Sequence, residues 1–233
     1  MANKISILST RPLEKALLEA AKAKDIQIDI VSFIDTTTIE TTGLHDEIGK
    51  LLKQPASVVF TSMNAVNSVA AHINGQTPEW AIFCIGNTTR QLAARYFGEQ
   101  CIHTVGNNAS DLADKIISEK TVKQVVFFCG DQRREELPGK LRQNGITVQE
   151  VIVYHTISTP HKVEKAYDGI LFFSPSAVQS YFYANAITPS TILFAIGQTT
   201  ADAIRSFTDN LVIESERPGK DELVKKMFQF FKK

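Results

Sequence analysis

Four short segments of the chain place hydroxyl residues or glycine where they could hold an anion. Each segment follows a strand-like apolar run and opens a helical pattern, so the first N–H groups of the helix have no partner within it. A hydroxyl at the cap adds a donor or closes the turn. The residues concerned are Ser62, Thr88 and Thr89 after Gly86, Ser174 and Ser176, and Thr199 and Thr200 after Gly197.

The alternative for each turn is a plain structural cap, because Ser and Thr are common at helix starts without any ligand. Four such turns in two matching pairs favour a shared binding site over four independent caps. We therefore predict that these residues bind the carboxylates or phosphates of a small molecule.

Three arginines and one tyrosine also follow strand-like segments. Arg11 comes after the first strand pattern, and Arg133 and Arg134 follow a matching one. Arginine binds carboxylates through two parallel hydrogen bonds, so we predict substrate binding, with a solvated cation at a helix start as the alternative. Tyr154 ends a run of apolar residues and is by pattern alone a core or interface tyrosine.

Other kinds of chemistry lack their sequence patterns. The histidines show no metal-ligand spacing, and GxGxxG, GxxxxGK[ST] and GxSxG are absent from the sequence. We therefore predict no metal site. The same absences argue against a nucleotide-dependent α/β enzyme.

Composition limits the partners. The 233 residues are 43% hydrophobic and 21% charged with a formal net charge of zero, so no overall field attracts nucleic acid or an anionic membrane. Apolar runs are too short to span a bilayer, and the N-terminus enters a strand pattern directly. We predict a cytoplasmic protein whose three cysteines, Cys84, Cys101 and Cys129, are reduced core thiols.

The elements that must position these residues follow an α/β rhythm. Short β-branched or aromatic runs alternate with helical patterns, which predicts mainly parallel sheets. One unit, with strand Ile5–Leu8, a helix from Pro12 and strand Ile26–Ile34, recurs at a shift of roughly 110 to 120 residues. A second unit, beginning at Val58, recurs from Ile170. Because parallel strands end at one edge of a sheet, the repeated turns should gather at such edges.

The alternating order of the repeats permits two domain assignments. The halves could fold in tandem, or the first and last segments could form one domain around an inserted second domain. Two long extended runs, Ile28–Ile39 and Val148–Ser158, could lie antiparallel as a bridge between domains, which favours the inserted arrangement. The residues alone leave both assignments open.

Taken together, the segments resemble the uroporphyrinogen-III synthase family over essentially the whole chain. No single segment is specific, but their order and spacing are. They are Ser9–Pro12, Phe60–Val66, Cys84–Thr89, Gly130–Pro138, Val151–Tyr154, Phe172–Val178 and Ala195–Thr200.

The resemblance implies two similar flavodoxin-like parallel-sheet domains, 1–35 with 157–233 and an inserted 36–156, joined by a two-stranded β-ladder with the ligand cleft between them. It implies a cofactor-free enzyme of porphyrin biosynthesis that acts on hydroxymethylbilane, a linear tetrapyrrole with eight carboxylates. That reaction loses water and inverts ring D. The implied enzyme is a monomer in transient contact with the preceding pathway enzyme, and Tyr154 matches the tyrosine implicated in loss of the hydroxyl.

The main rival from another class is a non-enzymatic two-domain binding or sensor protein that closes around an anionic small molecule. The predicted fold suits both, and the family pattern favours the enzyme. Formation of the type III isomer from the bilane would separate them.

Overall fold

The computed structural model describes residues 4–73, 75–216 and 219–231. The predicted domains also include residues 1–3 and 232–233, which lie outside the described residues. The strands are, in chain order, β1 (Ile5–Ser9), β2 (Ile26–Ile30), β3 (Ile34–Thr38), β4 (Ala56–Phe60), β5 (Trp80–Ile85), β6 (Ile102–Gly106), β7 (Gln124–Gly130), β8 (Thr147–Ser158), β9 (Gly169–Phe172), β10 (Ile192–Ala195) and β11 (Val212–Glu214). The α-helices are α1 (Lys15–Lys22), α2 (Thr42–Leu51), α3 (Met63–Ala70), α4 (Gly86–Phe97), α5 (Ala109–Ser118), α6 (Glu136–Gln143), α7 (Pro175–Ala184), α8 (Gln198–Arg205) and α9 (Lys220–Phe231).

The chain forms two compact units, each with its own sheet. Unit 1 consists of Met1–Asp35 and Ile157–Lys233, and unit 2 of Thr36–Thr156. The sheet of unit 1 has the order β2-β1-β9-β10-β11 with every neighbouring pair parallel. The other sheet has the order β3-β8-β7-β4-β5-β6 and is parallel from β8 to β6. The predicted α/β class with mainly parallel sheets is confirmed.

The repeated segments of the sequence occupy matching places in the two sheets. The order β2-β1-β9-β10-β11 in unit 1 corresponds to β8-β7-β4-β5-β6 in unit 2. In unit 1, β1, which begins the first repeated segment, lies next to β9, which begins the second. In unit 2, β7 and β4 are neighbours in the same way. Because these strands are parallel, the turns after β1, β9 and β10 share one sheet edge, as do those after β7, β4 and β5.

β7 shows why the sheets are covered on both faces. Its residues alternate between two hydrophobic clusters, with Val126 and Phe128 in one and Val125, Phe127 and Cys129 in the other. A strand buried on both faces reads as a continuous apolar run, which is typical of the centre of a parallel sheet. The polar residues that follow such strands are the first ones after the buried segment that a ligand could contact.

The strand β8 also pairs with β3, and these two strands run antiparallel. Thr159 N–H donates to the carbonyl of Phe33 at 3.0 Å, and Ile39 N–H donates to that of Val153 at 3.0 Å. Residue numbers therefore rise along one strand as they fall along the other. The chain passes from one unit to the other inside both strands.

Two predicted element bounds are wrong. The helix expected from Pro12 begins at Lys15, because the segment before it is tied to β9 by the hydrogen bond from Thr10 Oγ1 to the Leu171 carbonyl at 2.8 Å. The strand expected over Ile26–Ile34 ends at Ile30 and resumes as β3. In the interruption the chain buries Phe33 completely in the core of unit 1.

All three cysteines are buried and unpaired, as predicted for core thiols. Burial raises the pKa of the Cys84 and Cys129 thiols to about 11, so both stay protonated near neutral pH. Within the described ranges, no helix combines the length and apolar character needed to cross a membrane.

Candidate active site

Ser62 and Ser174 follow β4 and β9, and each caps the next helix. Ser62 Oγ accepts a hydrogen bond from the N–H of Ala65 at 3.2 Å, and Ser174 Oγ accepts one from Ala177 at 3.2 Å. Both serines have the extended backbone typical of an N-cap. The two copies of the repeat therefore build the same capped helix start at the carboxyl edge of each sheet. Ser176 lies in the first turn of α7 and is half-buried.

Tyr154 lies near the end of β8, where a β-bulge decides which face of the sheet its side chain occupies. The register pairs Cys129 with Ile152 and then Gly130 with Tyr154, so Val153 is an extra residue. Without the bulge, Tyr154 would share the exposed face of Ile152, because residues two apart lie on one face. With it, the phenol ring packs against the same hydrophobic cluster as Val153.

Gly130 makes room for this ring. A Cβ atom at Gly130 would lie 2.4 Å from Tyr154 Cε2 and 2.5 Å from Cζ, far inside normal contact. In the position that Gly130 permits, the Tyr154 hydroxyl lies 3.2 Å from Ser62 Oγ. Two of the predicted site residues, 92 positions apart in the chain, are thus brought together at the carboxyl edge of unit 2.

The two glycine turns differ from the serine turns. Gly86 opens α4 with a φ of 75°, a conformation that favours glycine, whereas Gly197 precedes α8 with extended backbone. Neither α4 nor α8 has a side-chain hydrogen bond at its cap. Their first N–H groups are therefore left to water or to a ligand.

The four threonines of these turns, predicted alike, separate into two kinds. Thr88 and Thr199 are exposed, whereas Thr89 is 6% exposed and Thr200 fully buried. The hydroxyl of Thr200 has no hydrogen-bond partner among the described residues. Thr88 and Thr199 are therefore the members of each pair that a ligand can reach without rearrangement.

The three predicted arginines also separate. Arg11 and Arg134 are exposed and form no ion pair with any residue in the described part of the chain. Arg133 is 28% exposed, donates to Glu150 through Nε and contacts Glu135 at 2.8 Å through Nη1. Arg133 therefore already has carboxylate partners within the protein, and Arg11 and Arg134 keep their charges available.

Glu150 is the centre of the network that holds Arg133. It is 18% exposed and accepts hydrogen bonds from both Arg133 and Arg142. Burial works against ionisation of Glu150, but these two guanidinium groups hold its pKa below the usual range. The network fixes the start of α6 against β8, so its first role is structural.

Sequence reasoning missed Gly130 and Asp131 as members of the site. Gly130 ends β7, a strand that is buried throughout after Gln124, and a glycine at such a place is a sign of close approach by another group. Asp131 follows it and contacts the Tyr154 carbonyl and the two residues after Tyr154. No pattern signalled Asp131, because its partners lie more than twenty residues away.

Within residues 4–73, 75–216 and 219–231, no group of three or more His, Cys, Asp or Glu side chains could hold a metal ion.

Known proteins share both the sequence pattern and the fold. A family model described as uroporphyrinogen-III synthase HemD matches residues 15–225. The uroporphyrinogen-III synthetase of Helicobacter pylori is 13% identical, with a TM-score of 0.67 over 97% of this chain and 99% of that one. A mutant uroporphyrinogen III synthase of the extremely thermophilic bacterium Thermus thermophilus is 16% identical, with a TM-score of 0.56 over 97% of each chain. At these identities the two structures establish likeness of fold.

Proposed function

Because the chain belongs to the uroporphyrinogen-III synthase family, we propose that it closes hydroxymethylbilane into uroporphyrinogen III. The terminal hydroxyl leaves ring A as water, the substituted carbon of ring D attacks, and a spirocyclic intermediate rearranges with ring D inverted. The reaction as proposed is a cofactor-independent lyase reaction. The family match over residues 15–225 is the observation that carries the proposal.

The first step needs a group that assists the departing hydroxyl, and we assign that role to Tyr154. Ser62 Oγ accepts the N–H of Ala65, and its own proton can be donated to the Tyr154 oxygen at 3.2 Å. In that arrangement the phenol proton remains for the leaving oxygen of the substrate. Since a phenol is a weak acid, its contribution is a modest one.

The main task of the protein is to choose the product. The bilane also cyclises spontaneously, without inversion of ring D, so the enzyme must hold the two ends of the chain in one geometry. Because every ring carries carboxylates, the protein can hold each ring in place by binding them. Selectivity then depends on where the carboxylate-binding groups lie rather than on a reactive nucleophile.

Each unit supplies carboxylate-binding groups of the same kinds. Serine-capped helix starts at Ser62 and Ser174 are joined by exposed Thr88 and Thr199, and by Arg11 in unit 1 and Arg134 in unit 2. Ser176 belongs to the same first turn as Ser174, while buried Thr89 and Thr200 shape their turns. Local donors of this sort bind a polyanion although the net charge of the chain is zero.

Substitutions of the adjacent arginines Arg133 and Arg134 are expected to have different effects. Arg133→Gln should lower the free energy of unfolding by about 1 to 2 kcal/mol, because it removes the main partner of Glu150. Since the folded-state pKa of Glu150 is depressed, this loss is present above its ordinary pKa of about 4.3 and vanishes as pH falls through the folded value.

Arg134→Gln should leave stability unchanged and raise KM for the bilane several-fold. Urea unfolding from pH 3 to 7 and steady-state kinetics measure the two effects.

Arg11→Gln serves as the counterpart in unit 1 and should match Arg134→Gln. If Arg134→Gln kept the KM of the unaltered protein, Arg134 would be a solvated cation and not a substrate ligand. If Arg133→Gln raised KM at full stability, the two arginines would have been assigned the wrong way round.

The test of the function itself is an isomer assay. Purified protein is incubated with freshly prepared hydroxymethylbilane, and the products are oxidised and separated as type I and type III porphyrins. We expect type III in excess of the spontaneous type I product. Type I alone, together with tight binding of the bilane, would point instead to the binding or sensor protein.

As part of the same proposal, the enzyme acts as a monomer in the cytoplasm and meets the preceding enzyme of the pathway transiently. The buried, unpaired thiols of all three cysteines fit a reducing compartment.

A further inference from the structure

Asp131 contacts three consecutive residues of β8, with Tyr154 as the first. The backbone N–H of Asp131 donates to the Tyr154 carbonyl at 3.2 Å. Its carboxylate accepts the N–H of Thr156 through Oδ1 at 3.0 Å and lies 3.0 Å from His155 Nδ1 through Oδ2. A single residue thus holds the chain at the tyrosine carbonyl and at the two residues that follow it.

These contacts sit where β8 leaves its regular ladder. The bulge at Val153 has already shifted the register by one residue at Gly130. A bulged strand lacks part of the hydrogen bonding that would otherwise fix its rotation. The three contacts from Asp131 supply that restraint immediately after the bulge.

We propose that Asp131 is a positioning residue for Tyr154, holding the phenol against Ser62 in the orientation the reaction needs. This inference rests on the proposed role of Tyr154. His155 takes part as the second point of attachment, and it does not need to touch the substrate.

The charge of Asp131 suits this role. Partial burial opposes ionisation, but the Thr156 N–H and the His155 ring hold the pKa of Asp131 below its usual range, so the carboxylate is charged near neutral pH. His155 Nδ1–H can donate to it in the neutral and in the protonated form of the ring. The contact therefore does not require a charged imidazole.

The duplication provides an internal comparison. In unit 1 the matching pair of strands, β1 and β2, ends its register at Ser9, the counterpart of Cys129, before the position of the bulge is reached. When Val125 is aligned with Ile5, the position of Asp131 is taken by Arg11, and residues 26–34 contain no tyrosine. The acidic residue thus accompanies the tyrosine and does not belong to the repeated sequence.

A double-mutant cycle tests the proposal. Asp131→Ala should lower kcat for type III formation about ten-fold with KM changed less than two-fold, as expected for a misplaced catalytic group. In the Tyr154→Phe background the same substitution should cost no more than about two-fold, because residues that act through one another are not additive. Losses that multiply in the double variant would overturn the proposal.

His155 supplies a rescue arm. His155→Ala removes the ring donor to Asp131, whereas His155→Asn places an amide nitrogen at about the reach of Nδ1. We expect His155→Ala to lose type III turnover and His155→Asn to recover most of it. Equal losses in both would show that the imidazole acts in some other way, contrary to the proposal.

A spectroscopic arm keeps the test decisive if Asp131→Ala is poorly folded. Asp131→Asn keeps the backbone contact to Tyr154 and an acceptor for Thr156. For NMR, the protein is isotope-labelled at the ζ carbon of its five tyrosines. The Tyr154 signal, assigned by its loss in Tyr154→Phe, should move or broaden in Asp131→Asn while the other four stay in place. An unmoved Tyr154 signal would refute the inference.

Asp29→Ala is the matched control. Asp29 is also a hydrogen-bonded surface carboxylate, paired with Lys165 and Tyr167 in unit 1, and its removal should leave kcat unchanged. The outcomes also separate the two proposals. Full activity in Tyr154→Phe with a loss in Asp131→Ala would mean that the role of Tyr154 is wrong. Loss of activity in Tyr154→Phe with full activity in Asp131→Ala would refute the Asp131 inference alone.

Discussion

Tyr154→Phe is expected to lower the rate of type III formation roughly ten- to hundred-fold, at or below the low end for general acid assistance. The reason is that phenylalanine keeps the ring in the core of unit 2 but removes the hydroxyl that lies 3.2 Å from Ser62 Oγ. The loss should fall on kcat, because the hydroxyl acts on the leaving group rather than on the carboxylates. Isomer-resolved steady-state kinetics on fresh bilane measures it.

Stability should change little, since one partly buried hydrogen bond contributes about 0.5 to 1.5 kcal/mol. Tyr183→Phe is the matched control, because Tyr183 is 84% exposed and lies in α7 of the other unit. It should leave both rate and isomer ratio unchanged. Full type III turnover in Tyr154→Phe would show that this hydroxyl does not assist the reaction.

Gly130→Ala is expected to reduce activity at least as far as Tyr154→Phe and also to destabilise the protein by about 1 to 3 kcal/mol, the usual cost of overpacking. The added Cβ would lie 2.4 Å from Tyr154 Cε2, so the ring or the end of β7 must move. Either movement takes the phenol away from Ser62. Thermal unfolding and type III turnover measure the two effects.

Gly139→Ala provides the comparison, because Gly139 lies inside α6 and its added Cβ would meet Glu135 Cγ at an ordinary 3.6 Å. That change should be neutral or stabilising by about 0.5 to 1 kcal/mol, as alanine favours a helix interior. In a Tyr154→Ala background, Gly130→Ala should cost little stability, since the ring is gone. An undiminished penalty in that background would show that Tyr154 is not the group that Gly130 makes room for.

Much of the fold was predictable because its signals are local. The apolar run of β7, alternation of strands with helices, and the serines that cap α3 and α7 all act within a few residues of themselves. The duplication added long-range information, since matching segments fold into matching strands. The failures at Pro12 and Phe33 were failures of element boundaries, where contacts with distant carbonyls or with the core override local preference.

The residue types of the candidate site were predictable from the sequence, but the different roles of neighbouring residues were not. Thr88 and Thr89 look alike in sequence, yet one is exposed and the other buried, because neighbouring positions on a helix face different ways. Arg133 and Arg134 also look alike but precede α6, and there only the first reaches Glu150 on β8.

By itself the sequence determined the α/β class, the repeated helix starts and the family, because each depends on residue types recurring at a set spacing. The tertiary structure decided which hydroxyls and arginines remain available and where Tyr154 points. A one-residue bulge at Val153 turns that side chain to the other face of the sheet, and Gly130 and Asp131 hold it there across a pair of strands. Such contacts join residues far apart in the chain, so their effect exists only once the sheet has formed.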